Sequence, residues 1–174
     1  MNRIKLIKPS IEYADDIMEF RQELLDAGDE FAGCGPLESC VSANEWIKII
    51  DMRENEETCP EGGVTSYTYI AIRSCDNKIV GVIDLRHHIN HPILSVWGGH
   101  MGYSVRPSER QKGYAKEMLQ QNLQNCKNRG LDKVLITCLC DNIASEKTIV
   151  ANGGKFENEI CVDDKSYKRY WIQI

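Results

Sequence analysis

One junction constrains this chain more than any other stretch: Tyr103-Ser104-Val105-Arg106-Pro107-Ser108-Glu109-Arg110-Gln111-Lys112-Gly113-Tyr114-Ala115. It reads as a strand running into a proline-containing loop, then a helix with the apolar stripe Ala115, Met118, Leu119, Leu123 and Cys126. Glycine at 113 lets the backbone approach a ligand closely, and Ala115 keeps the first helical turn narrow. The free N–H groups of a helix start sit at the positive end of its dipole and suit phosphate oxygens. Arg110 and Lys112 place cations beside them. An ordinary solvated loop with Gly113 as its turn residue fits the same letters. Two better-known phosphate loops do not. A Walker A loop needs lysine after the glycine, where Tyr114 stands, and a dinucleotide fingerprint needs three spaced glycines after the first strand of a βαβ unit.

Around this junction the chain alternates helices and strands. Arg3 to Ile7 reads as a short strand ending before Pro9. Ala14, Ile17, Phe20 and Leu24 recur at helical spacing, with a stop before Gly28. A loop from Gly28 to Cys40 follows, and Ser42-x-x-Glu45 is a capping box leading into Trp46, Ile49 and Ile50. The acidic stretch Arg53 to Gly63 reads as an exposed loop. Tyr67–Ile72 and Ile79–Leu85 are β-branched and aromatic, and Asp76-Asn77-Lys78 between them makes an antiparallel hairpin. The spacing then predicts a third strand over about Gly99–Val105, the junction helix to near Gly130, and a strand Lys133–Leu139. A helix capped by Asn142 stops at Gly153-Gly154, and a closing hairpin of Lys155–Val162 and Tyr167–Ile172 turns around Asp163-Asp164. No repeat, linker or low-complexity tract divides the chain. The expectation is one α/β (α+β) domain over residues 1–174.

Composition excludes some functions. Of 174 residues, 21 are Lys or Arg and 26 are Asp or Glu, giving a net charge of −5. A phosphate-backbone binder needs a basic face, so nucleic acid is not expected as the partner. The start Met1-Asn2-Arg3-Ile4-Lys5 lacks the apolar core of a signal peptide, and no long apolar run is present. A cytoplasmic protein with no membrane partner is expected. Its 8 cysteines then read as reduced thiols, several of them small buried hydrophobes. The run His87-His88-Ile89-Asn90-His91 has the residue type for zinc, but adjacent histidines on a strand point to opposite faces, and no metal is expected.

Arg110-x-x-Gly113-x-Ala115, after a strand ending Gly-Tyr-x-Val-x-Pro and opening an amphipathic helix, resembles the acyl-CoA loop of the GNAT superfamily of N-acetyltransferases. The order of elements agrees over nearly the whole chain: strand, two helices, three-strand antiparallel meander, loop and helix, strand, helix, hairpin. Asn142 matches the asparagine that members often carry before their last helix. The resemblance implies a mixed, mostly antiparallel sheet, splayed at the cofactor cleft and flanked by about four helices. It implies that Arg110, Gln111, Lys112, Gly113, Tyr114 and Ala115 hold the pyrophosphate of acetyl-CoA. It places main-chain groups of Tyr103 and Val105 on the pantetheine, with Asn142 and Ser145 also at the cofactor. The implied reaction is direct acetyl transfer to a primary amine of a small molecule or peptide, without metal or covalent enzyme intermediate. An acyl-CoA-binding regulatory or interaction module with little catalysis is the alternative.

Catalytic residues are less constrained. His100 lies on the strand leading to the loop, and its ordinary pKa near ~6.5 suits proton relay. Strand alternation puts it opposite Met101, Tyr103 and Val105 unless a bulge intervenes. Asp84 and Glu30 are further carboxylate candidates. The tyrosine that members often carry seven residues after the asparagine is Ile149 here. Water or a hydroxyl of Tyr103, Tyr114 or Ser145 would then serve the leaving thiolate. The closing strand, with Tyr170 and Trp171, is suited to pairing with a second copy in a homodimer.

Overall fold

The computed structural model describes residues 3–174; Met1 and Asn2, part of the stretch read for a leader, lie outside the described residues. Two antiparallel sheets carry the fold. The first has the order β1-β2-β3-β4, built from β1 (Ile4–Ile7), β2 (Ser66–Arg73), β3 (Ile79–Arg86) and β4 (Tyr103–Val105). The second has the order β5-β7-β6, from β5 (Lys133–Leu139), β6 (Lys155–Val162) and β7 (Lys165–Gln173). Helices α1 (Ala14–Ala27) and α2 (Ala43–Met52) precede β2, α3 (Tyr114–Asn128) joins β4 to β5, and α4 (Ile143–Ala151) joins β5 to β6.

Alternation in the strands distributes the core. Ile70 and Ile72 of β2 face Ile17, Phe20, Leu24, Trp46 and Ile50 of α1 and α2. Ala71, between them, faces Ile4, Tyr114 and Met118, so α3 covers the other side. This explains why β3 reads as a continuous apolar run: it is covered on both faces. A second core, Val134, Ile136 and Cys138 with Leu119, Cys126, Ile149 and Tyr170, holds the second sheet on α3 and α4.

Local sequence rules set most boundaries. Ser42 Oγ accepts Glu45 N–H at 3.2 Å, while Glu45 returns its carboxylate to Val41 N–H at 2.8 Å, one residue earlier than a regular capping box. Asn142 Oδ1 accepts Ser145 N–H at 3.0 Å and caps α4. The third strand differs from the expectation. It begins at Tyr103 rather than Gly99, because residues 94–98 form a π-turn and the main chain of His100 turns outward to another partner.

Candidate active site

That outward turn opens the site. His100 donates its N–H to Leu135 O at 2.8 Å, and His100 Nδ1 accepts Leu135 N–H at 2.9 Å, so this one residue ties the first sheet to β5. Its own carbonyl still accepts Arg86 N–H at 2.8 Å from β3, in unbroken register with β4, so the residue is shared between β3 and β5. Beyond it β4 stays with β3: Asp84 N–H goes to Gly102 O and Arg106 N–H to Val80 O. This parity turns the main-chain groups of Gly102, Ser104 and Arg106 toward β3. Those of Met101, Tyr103 and Val105 turn the other way, into a gap between β4 and β5. The β3–β4 register points the N–H groups of Tyr103 and Val105 away from β3, and among the described residues Met101 N–H has no main-chain acceptor. Unpaired strand groups facing a cleft are what an amide-bearing chain needs to add to the edge.

The loop at the open end of the gap supplies a second set of donors. Gln111 and Gly113 both have positive φ, 62° and 82°, and Gly113 stands at the N-terminus of α3. Among the described residues, the N–H groups of Gln111, Lys112, Gly113, Tyr114 and Ala115 donate to nothing. These N–H groups gather at a helix start, a candidate anion cradle. The cations beside it are all matched: Arg110 with Asp29, Lys112 with Glu109 at 2.8 Å, and Arg3 with Glu117 at 3.1 Å. Arg3 was not read as a site residue. Its guanidinium donates to Lys112 O at 2.9 Å and lies 5.1 Å from the Tyr114 ring centroid. Only folding brings residues so far apart in the chain together, and no local pattern marks Arg3.

At the inner end of α4, Tyr103 OH and Ser145 Oγ lie 2.7 Å apart. Burial pushes the Tyr103 phenol up to about 12, so it is protonated at neutral pH. Ile149 is fully buried in the second core beside them. The Tyr114 hydroxyl lies against Arg73 at the end of β2, away from the gap. Cys138, also on β5, is held as a thiol by burial, its pKa raised to about 11. Asn142 meets Ser145 through the cap alone.

The three candidate bases have other partners. Burial lowers His100 to about 4, and its Nδ1 lone pair is already committed to Leu135 N–H. Asp84 accepts Gly102 N–H at 2.5 Å and pairs with Arg86 at 3.1 Å. Glu30 lies at the surface with Lys165. The histidine run separates: His87 Nδ1 meets Thr65 Oγ1, while His88 and His91 each accept a loop N–H.

A strand gap beside a helix start rich in free main-chain N–H groups is the arrangement expected of an acyltransferase. Residues 3–155 match the family model described as "Acetyltransferase (GNAT) domain", and the chain belongs to that family. Solved structures share the fold. RimL, a ribosomal-protein α-N-acetyltransferase in complex with coenzyme A, matches with a TM-score of 0.70 at 17% identity, over 100% of this chain and 96% of its own. RimJ of Mycobacterium smegmatis, in complex with CoA-disulfide, matches with 0.69 at 17% identity, covering 98% of this chain and 81% of its own. A chimera of the spermidine N-acetyltransferase SpeG from Vibrio cholerae matches with 0.67 at 13% identity, covering 98% and 95%. No curated protein sequence matches the chain. No helix among the described residues is long and apolar enough to cross a membrane.

Proposed function

We propose that the protein transfers the acetyl group of acetyl-CoA directly to a primary amine. The observation that carries this reading is the continuous row of unpartnered main-chain donors, from Gln111–Ala115 to Val105, Tyr103 and Met101. The first set fits a pyrophosphate, the middle two fit the pantetheine amides, and Met101 N–H, deepest in the gap, fits the thioester oxygen. A fixed donor there stabilises the oxyanion formed when the amine attacks; removing one such donor raises the barrier by ~2.7–4 kcal/mol in other acyl-transfer enzymes. The leaving thiolate takes its proton from the Tyr103–Ser145 hydroxyl pair, since Ile149 carries no hydroxyl. His100 joins β3 to β5 rather than moving protons, because its Nδ1 lone pair accepts Leu135 N–H. The attacking amine gives up its proton to water at the mouth.

Arg110 and Lys112 shape the cradle through their ion pairs, and Asn142 and Ser145 set the first turn of α4 at the thiol end. Relatives in fold act on a ribosomal protein and on spermidine. We read the acceptor here as a cationic small amine or peptide. Thiol release from acetyl-CoA across an amine panel tests the reading: release must depend on the amine, and tight cofactor binding without any such release would contradict it.

A further inference from the structure

On the face opposite α3, the open end of the gap is bridged by a single ion pair. The main chain of Glu30 is held on β4: the Ser104 hydroxyl donates to Ala32 O at 2.8 Å and faces Glu30 O at 3.4 Å. The loop lies directly on β4, since a Cβ on Gly33 would lie 2.1 Å from Gly102 O. Lys165 is held on the other wall, since its neighbour Ser166 accepts Cys140 N–H at 2.9 Å at the end of β5. Between these two anchors Lys165 Nζ reaches Glu30 Oε1 at 3.2 Å, and both side chains are exposed. The Glu30 carboxylate raises the Lys165 pKa, so the ammonium is held charged.

We infer that Glu30 recognises a second positive charge on the acceptor, and that the Lys165 ammonium occupies this place when no acceptor is bound. The inference rests on the acetyl-transfer reading above and names the acceptor class: an amine with a further ammonium or guanidinium. An exposed ion pair is weak and exchanges readily for an equivalent cation. The setting favours the exchange. Asp163 and Asp164, exposed at the tip of the same hairpin, have no ion pair among the described residues. Asp29, next to Glu30, is already matched by Arg110. An incoming cation therefore meets an acidic rim in which Glu30 is the group whose partner sits on the opposite wall. Displacing Lys165 frees the hairpin tip from β4 and admits the acceptor's reacting amine to the gap.

The test is acetyl-CoA thiol release with monoamine–diamine pairs of graded length. The wild-type protein should favour the diamine of a matched pair in kcat/KM by about threefold, the size of one exposed charge pair. Glu30→Gln should bring that ratio close to one. Lys165→Met should raise it, because the competing ammonium is gone. A ratio unchanged by Glu30→Gln, or lowered by Lys165→Met, overturns the inference. So does a protein that acetyl-CoA stabilises but that releases thiol with none of these amines. A protein that acetyl-CoA does not stabilise in thermal melts overturns the transfer reading instead.

Discussion

The Tyr103 hydroxyl shows how one residue acquires a role from its neighbours. On its strand it is an ordinary aromatic; burial raises its phenol to about 12 against the lowering effect of the Ser145 hydrogen bond, and that bond sets its hydroxyl at the start of α4. Tyr103→Phe and Ser145→Ala should each lower kcat about tenfold, and together about 100-fold, with acetyl-CoA affinity retained. Stopped-flow thiol release checks this; an undiminished kcat in the double variant would assign the proton to water. His100 leads to a different expectation. A relay histidine would place an inflection near pH ~6.5 in kcat/KM. With His100 lowered to about 4 and bonded to Leu135 N–H, the rate should climb smoothly toward the acceptor amine's own pKa. His100→Ala should act on stability, costing about 1–3 kcal/mol for the orphaned amide. Ile149→Ala would likewise report core loss, about 2–5 kcal/mol, and not turnover, because the side chain is fully buried.

Among the elements, those set by local chemistry were readable and those set by distant contacts were not. The β2–β3 hairpin follows from alternation and from Asn77, whose φ of 59° suits the turn. The α4 start follows from its asparagine cap, and β5 from its apolar run. The boundary of β4 did not follow. The letters from Gly99 onward look like strand, but His100 bonds to Leu135, 35 residues away, and nothing in the local sequence announces that its N–H and ring turn to β5. The same holds in the site. The cradle was legible because glycine, a helix start and basic residues are contiguous, whereas Arg3, Asp29 and Glu117 come from elsewhere. The loop over β4 offers a test at this scale. Gly33 has φ of 74° and no room for a Cβ, so Gly33→Ala should lower the Tm and raise the amine KM more than that of acetyl-CoA. Equal effects on both substrates would mean that this loop does not shape the acceptor mouth.

For the whole molecule, a net charge of −5 excluded a basic binding face but did not show where an anion would sit. The cations beside the loop carry their own carboxylates, so a phosphate bound there would be held chiefly by main-chain N–H groups. Burial also makes the fold acid-labile. His87 and His100 are each lowered to about 4. The unfolded chain binds these protons below about pH 6.5 and the folded one does not. Stability present above that pH is lost as the pH falls toward 4. The Tm should decline between about pH 6.5 and 5, and less so in a His87→Gln, His100→Gln variant. The most direct measurement of the central claim is calorimetric titration of acetyl-CoA into the wild-type protein and into Gly113→Glu, a change that strains a positive φ and sets a carboxylate in the cradle. The account predicts saturable binding by the wild type and its abolition in a variant that still melts cooperatively; equal affinity in the two proteins would contradict it.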